Sequence, residues 1–238
     1  MAEKPRFYDA RVSKIISLTE SVKHFVLDYA PECDTRFTAG QFMMVHLERD
    51  GKPHKKPYSI ASSPSLQNKI ELCIKRVDGG YVSNWFFGLK EGDVIKTSVP
   101  YGVFVIREPQ PENLVFVATG TGIAPMRGMI QNLYEKGCDK QIWLVFGNRF
   151  ETDILYLDEW RKLEKEKKNF HFIPTISKPQ TWKGETAYVQ EIVKKVFADK
   201  KESSAFYGCG LVPMCQQLKA SLLEMGIPKE KIHFEVFT

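Results

Sequence analysis

A β domain followed by an α/β domain is the fold that this sequence predicts, on three observations. The first hundred residues hold short segments rich in β-branched and aromatic residues, punctuated by Gly, Pro and Asp. Between Val105 and Leu114 the chain reads IREPQPEN, two prolines and charges without periodicity, as a linker does. Beyond it, apolar runs alternate with helical patterns, the mark of a parallel sheet covered by helices on both faces. The expected domains are residues 1–108 and 112–238.

In the first domain the strand candidates are YDARVSKIISL, VKHFVLDYA, QFMMVHLE, KIELCIKRV and DVIKTSV. Strands so closely spaced suggest a barrel or a sandwich. One helix is expected there, YVSNWFFGLK, entered from Gly79 and Gly80. In the second domain the alternation runs LVFVATG, MRGMIQNLYEKG, QIWLVFG, LDEWRKLEKEKK, FHFIPTIS, AYVQEIVKKVF, SAFYGCG, MCQQLKASLLEMG and KIHFEVF. A chain of 238 residues, 43% hydrophobic and 26% charged, has the material for proper cores. Neither a signal peptide nor a membrane span is visible, so a soluble cytoplasmic protein is expected. The five cysteines are scattered without CxxC spacing, which argues against a disulfide framework, a zinc site or an iron–sulfur cluster; no metal is expected. The net charge of +5 is compatible with an acidic partner, although acids and bases are interleaved, as in EKEKK at Glu164 to Lys168, read as a solvated helix face. No nucleic-acid partner is expected, and the oligomeric state stays open.

Candidate binding residues fall where segments end. In KPYSIASSP, Lys56 offers a cation and Tyr58 a ring, while Ser59 points to the opposite face of an extended chain. The alternative is an exposed strand running into a Ser-rich turn closed by Pro64. Gly79 and Gly80 would let a phosphate approach the helix N-terminus, where amides and the helix dipole favour it; an ordinary turn is the alternative. In a parallel sheet, ligands gather at the carboxyl ends of strands. The first such end is ATGTGIAP, whose Gly120 and Gly122 free the backbone and whose Pro125 suits an early helical position. It is neither a Walker loop nor the six-residue dinucleotide fingerprint. Asn148 and Arg149 end the next strand, where Arg149 either touches a nucleotide phosphate or pairs with Glu151 or Asp153. Ser177 and Lys178 follow, then Cys209, set between two glycines and open to close approach, or else inert packing. Glu235 and Phe237, two apart, share a face of the last strand, or else simply end it with a buried Phe and an exposed Glu.

In order along the chain, these segments resemble the signatures of the ferredoxin-NADP reductase superfamily. KPYS resembles its Arg-x-Tyr-Ser flavin motif, with Lys56 for the arginine and with Pro57 and Ile74 alongside. Gly80 to Ser83, spanning Tyr81 and Val82, resembles the Gly-x-x-Ser that holds flavin pyrophosphate. Thr119, Gly120, Thr121, Gly122 and Pro125 resemble the nicotinamide-dinucleotide pyrophosphate loop, and Ser177-Lys178 is an incomplete echo of a Ser-Arg pair for the extra phosphate of NADPH. Cys209-Gly210 resembles the Cys-Gly motif beside the nicotinamide, and Glu235-x-Phe237 the Glu-x-Tyr ending whose aromatic covers the flavin. The resemblance implies a Greek-key flavin barrel before a nucleotide-binding α/β domain. It also implies bound FAD, NADPH or NADH as substrate, and Ser59, Cys209 and Glu235 at the reaction centre. Hydride would pass to FAD, then single electrons to a carrier such as ferredoxin, flavodoxin or an oxygenase component. A free-flavin reductase and a non-catalytic nucleotide-responsive module are the alternatives.

Overall fold

The structure, a computed structural model, describes residues 5–237, with the side chain of Phe237 outside the described residues. The chain divides into two compact units: the chain up to Val105 together with Arg127–Lys136, and Ile106–Met126 together with the chain from Gly137 onward.

The first unit is an antiparallel six-stranded sheet of β1 (Arg6–Ser17), β2 (Val22–Asp28), β3 (Phe42–Arg49), β4 (Lys52–Ser59), β5 (Lys69–Lys75) and β6 (Val94–Tyr101). Its order is β4-β3-β6-β1-β2-β5, so β6, last in sequence, inserts between β1 and β3 in the manner of a Greek key. The β3–β4 hairpin turns at Asp50 and Gly51, both with positive φ (52° and 71°), the backbone that a tight hairpin twist demands. Period-two alternation sends Ala10, Val12, Phe25, Leu27, Met43, Val45, Ile70, Leu72 and Ile74 into one core. Phe86 of α1 (Tyr81–Gly88) closes it, edge-on to Phe25 at 5.2 Å and to Tyr58 at 5.1 Å. The edge strands β4 and β5 meet through the Ile60–Leu72 bridge and the Ala61 N–H···O Glu71 bond of 2.8 Å, which curls the sheet into a barrel. β4 is an outer strand and exposes all but its last two residues; its prolines and lysines blunt further pairing.

The later turns of α2 (Ile123–Glu135) belong to this unit and pack along the segment after β4. Arg127 donates to the Ala61 carbonyl at 2.9 Å and to the Glu71 carboxylate at 2.5 Å. One helical turn on, Gln131 accepts the Ser63 amide at 3.2 Å, and a further turn on Glu135 accepts the Ser63 hydroxyl. Gly128 lets the backbones touch, since a Cβ there would stand 2.6 Å from the Ser62 carbonyl oxygen. Burial opposes the charge on Glu71, but His24 and Arg127 outweigh it and hold the carboxyl at about 2.

The second unit is a five-stranded parallel sheet in the order β11-β10-β7-β8-β9. Its strands are β7 (Asn113–Thr119), β8 (Gln141–Asn148), β9 (Phe170–Ile176), β10 (Ser204–Leu211) and β11 (Ile232–Phe237). The helices are the first turn of α2, α3 (Leu157–Glu166), α4 (Val189–Phe197) and α5 (Val212–Glu224). β7 is central and buried on both faces, which is why it reads as an unbroken apolar run instead of an alternation. Val115, Val117 and Val145 pack with Ile192, Val193 and Phe197 of α4 and with Leu218 and Leu222 of α5. Trp160 anchors α3, fully buried, its indole N–H donating to the Leu155 carbonyl at 3.0 Å.

Removing one partner from a buried ion pair leaves the other charge desolvated and unmatched. Arg127→Met is therefore expected to cost about 3 kcal/mol in denaturant unfolding, and Arg127→Lys less. Because the Glu71 pKa is depressed in the folded state, its contribution is present above the ordinary value of 4.5 and is lost as pH falls towards about 2. The difference between parent and Arg127→Met should shrink over that window.

Candidate functional site

In the first unit the site grows from the turn before α1. Arg76 Nε donates to the Asn84 side chain at 2.8 Å, and Asn84 in turn donates to the carbonyls of Gly80 at 2.7 Å and Val77 at 3.0 Å. The Ser83 hydroxyl accepts the Val77 amide at 3.0 Å. Side chains thus brace the turn, and Gly79, with φ of +69°, completes it. The amides of Tyr81, Val82 and Ser83, the first of α1, have no acceptor within the helix by its geometry, so they can serve an anion at its dipole-positive end. Tyr81 is fixed at that end: its hydroxyl donates to the Glu48 carbonyl at 2.9 Å, Arg49 lies over its ring at 4.7 Å, and His54 meets it edge-on at 5.9 Å. On β4, His54, Lys56 and Tyr58 alternate onto one face, opposite Leu47, Val45 and Met43 of β3. Lys56 and Pro57 are exposed, Tyr58 half-buried and Ser59 buried. Burial pushes the Tyr58 phenol well above its ordinary value, so it is neutral. Ile74 and Val82 are buried in the barrel core.

In the second unit the order of strands reverses between β7 and β10, the topological switch point of a doubly wound sheet. β7 ends at Thr119, a 3-10 turn covers Gly120–Gly122, and α2 follows at once. A Cβ on Gly122 would fall on the carbonyl of Cys209, and one on Gly210 (φ +149°) on the hydroxyl of Thr119. That hydroxyl is also 3.4 Å from the Leu211 amide. Thr119, Gly122, Cys209 and Gly210 therefore form one packed junction, over which the first amides of the turn are presented. Pro125 is buried in the first turn of α2.

Cys209 stands opposite Glu235 on β11 and Ala118 on β7. The expectation that its thiol is open to close approach is corrected here: Cys209 has no exposed surface, because neighbouring strands flank it and the Gly122 backbone closes on its carbonyl. Burial, with the nearby Glu235, pushes the thiol well above its ordinary value, so it stays protonated. Cys215 is buried on α5, with the carbonyls of Gly210 and Glu235 at 3.8 and 3.9 Å from its sulfur. Glu235 is half-buried, and the side chain of Phe237 lies outside the described residues.

At the ends of β8 and β9, the Ser177 amide donates to the Asn148 carbonyl (3.0 Å) and the Lys178 amide to the Arg149 carbonyl (2.9 Å), which draws all four residues together. Arg149 is exposed and lies 5.5 Å from the ring of Phe150. Glu151 and Asp153 are engaged with backbone amides. Sequence reasoning missed Arg49, His54 and Asn84 around α1, and the use of Glu151. Only the Asp50-Gly51 hairpin signal could have brought Arg49 and His54 into view. Among the described residues, no group of three or more His, Cys, Asp or Glu side chains could hold a metal ion.

Residues 9–106 match the oxidoreductase FAD-binding domain and residues 116–220 the oxidoreductase NAD-binding domain. The chain is 30% identical over 237 residues to ferredoxin–NADP reductase B of Sorangium cellulosum (strain So ce56), covering 96% of each. It is also 30% identical over 235 residues to the phenol hydroxylase P5 protein of Acinetobacter pittii (strain PHEA-2), spanning 97% of this chain but 65% of that one. In fold it is similar to a ferredoxin NADP+ reductase from Neisseria gonorrhoeae with bound FAD and NADP, at a TM-score of 0.86 and 22% identity, covering 97% of this chain and 98% of that one. A barrel with an FAD-binding domain and a doubly wound sheet with an NAD-binding domain define an NAD(P)H-dependent flavin oxidoreductase. The chain belongs to the ferredoxin-NADP reductase superfamily. Its cofactor is FAD, and its nucleotide is NADPH or NADH. Both fit what is present: each unit offers a Gly-bearing turn at a helix start with amides for pyrophosphate, and the first adds the Tyr58 ring.

Gly122→Ala puts a methyl group against backbone that cannot turn aside. Overpacking of this kind costs about 1–3 kcal/mol. The variant should melt earlier in a thermal scan and show a raised KM for NAD(P)H, with its flavin content unchanged.

Proposed function

We propose that the protein takes electrons from NADPH or NADH through bound FAD and releases them one at a time to a carrier protein such as ferredoxin, flavodoxin or an oxygenase component. The single observation that carries the nucleotide half is the Thr119–Gly122 turn packed on Cys209–Gly210 at the switch point. Relatives named as a ferredoxin–NADP reductase and as the reductase component of a phenol 2-monooxygenase support a protein acceptor. A net charge of +5 and the exposed Lys52 and Lys55 on β4 support an acidic one. Five free cysteines suit a reducing compartment such as the cytoplasm.

FAD supplies the chemistry of accepting a pair of electrons from the nicotinamide and passing them on singly. The protein's own residues bind and orient. In this reading Lys56 and the first amides of α1 hold flavin phosphates, Tyr58 lies against the ring system, and Ser59 offers a hydroxyl to it. Thr119 to Gly122 hold the nucleotide pyrophosphate, and Asn148, Arg149, Ser177 and Lys178 its distal half. Cys209 acts by shape as a neutral thiol, and Glu235 supplies a carboxyl beside it. The dedicated amides at Gly80–Ser83 favour a retained dinucleotide over a free-flavin reductase, which would exchange its flavin.

The purified protein is expected to be yellow, to yield FAD on extraction and to bleach with NAD(P)H without oxygen. Recovery of FMN alone, or no bleaching, would overturn the proposal. An acceptor screen over a range of salt should find a carrier whose reduction slows as salt rises, since steering between opposite charges is screened.

For the reaction centre, Cys209→Ser and Glu235→Ala should each slow anaerobic flavin reduction, by up to about a hundredfold where positioning is lost, with FAD content unchanged. Because the Cys209 thiol stays protonated, the parent rate should show no thiolate-dependent limb between about pH 7 and 9, the ordinary range of thiol ionisation. Stopped-flow at several pH values measures both.

A further inference from the structure

Residues 177–188, between β9 and α4, form neither helix nor extended strand. A long irregular stretch beside a strand end either serves a site or is loosely held. This one is held. Its start is bonded through Ser177 and Lys178 to Asn148 and Arg149, as described above. Its far part returns to β9, where the Ile176 amide donates to the Glu185 carbonyl at 3.0 Å and the Thr175 hydroxyl to that of Ala187 at 2.5 Å. The Trp182 indole N–H also donates to the Glu185 carbonyl, at 3.0 Å.

Between these ties lies the unusual part. Three successive amides, of Gln180, Thr181 and Trp182, converge on one carboxylate oxygen of Glu151, at 2.8, 2.7 and 2.7 Å. Consecutive amides turned to one point make an anion nest, and a charged acceptor strengthens each bond. Glu151 reaches the nest from the 3-10 turn Glu151–Asp153, just beyond Asn148 and Arg149. That turn is itself braced, since the Phe150 amide donates to Asp153 at 3.1 Å. The Glu151 carboxyl is held at about 2 by its own backbone amide and by those of the nest, so the nest is filled at any working pH.

We propose that Glu151 is a positioning residue for the nucleotide: as the internal anion of the 180–182 nest, it sets the path of the loop that carries Ser177 and Lys178. It thereby sets affinity for NADPH and the ratio of NADPH to NADH use. This rests on the assignment of Ser177 and Lys178 to the nucleotide made above. The carboxylate itself touches no nucleotide; it ties the end of β8 to the end of β9, so that both strand ends present their side chains in one arrangement. Without it, three amides lose their acceptor, and the loop is left with the ties at its two ends and the Trp182–Glu185 bond.

The test uses the full FAD-loaded protein with Glu151→Ala, Glu151→Gln and Lys178→Ala. Amide hydrogen exchange over the 177–185 segment, dissociation constants of NADP+ and NAD+, and KM and kcat for both reduced nucleotides are measured. For Glu151→Ala we expect faster exchange in that segment alone, a KM and Kd for the NADP pair raised about fivefold, a smaller rise for the NAD pair, and kcat within about twofold. Glu151→Gln, which keeps an acceptor oxygen without the charge, should fall between Ala and parent. Unchanged exchange in Glu151→Ala overturns the proposal. So does faster exchange with unchanged affinities while Lys178→Ala weakens NADP binding, because the tie would then be structural only. If Lys178→Ala leaves every affinity unchanged, the assignment of this strand end to the nucleotide fails, and the proposal falls with it.

Discussion

The nucleotide-binding unit depends on one contact, the backbone of Gly122 against the carbonyl of Cys209. β7 and β10 are neighbours at the centre of the sheet, and α2 leaves the first of them through the Gly120–Gly122 turn. The turn can lie on β10 only because no Cβ stands between them. The reverse contact, Gly210 beneath the Thr119 hydroxyl, closes the other side. With both glycines in place the first amides of the turn and helix are presented at the switch point, and the neighbouring strand ends fall in beside them. A methyl group at Gly122 would displace backbone, which cannot rotate away as a side chain can, and one at Gly210 would meet the Thr119 hydroxyl at a φ of +149° that side-chain-bearing residues rarely adopt.

The first unit solves a similar problem with side chains. Ser83, Asn84 and Arg76 are spent on the Val77–Gly80 turn, so they hold the backbone in shape and leave the helix's first amides to face outward. Ser83 thus contributes by bracing as much as by any contact of its own. In the proposed reading, phosphate recognition by these amides would cost little reorganisation, because they are fixed before a ligand arrives. Tyr81, gripped by Arg49, His54 and the Glu48 carbonyl, extends the same rigid surface to the end of the β3–β4 hairpin.

Charge inside the molecule is used for fastening. Glu71 is matched by Arg127 where the later turns of α2 lie along the segment after β4, and Glu151 by three amides where β8 and β9 end. Both carboxyls are held near 2, so neither tie loosens around neutral pH. The thiols go the other way. Cys209 and Cys215 are buried and protonated, which removes nucleophilic chemistry from the strand end and leaves shape and polarity as what Cys209 can offer.

The order of elements and the location of the two Gly-bearing turns that open α1 and α2 were legible in the sequence, because they follow from local rules. Period-two alternation, helical periodicity and glycines at strand-to-helix turns act over a few residues and need no partner from elsewhere in the chain. The apolar run LVFVA was likewise legible as a strand of a parallel sheet, but only the fold put it at the centre. Tertiary structure alone decided what depends on residues far apart. That Gly122 meets Cys209, that Cys209 is sealed, that the far turns of α2 join the barrel through Arg127, and that Glu151 bonds amides some thirty residues on are all long-range pairings. As the alternative to a nucleotide phosphate, the sequence offered Arg149 either Glu151 or Asp153 as a partner; the fold gave the Glu151 carboxylate to a nest of backbone amides, which no pattern of side chains could reveal.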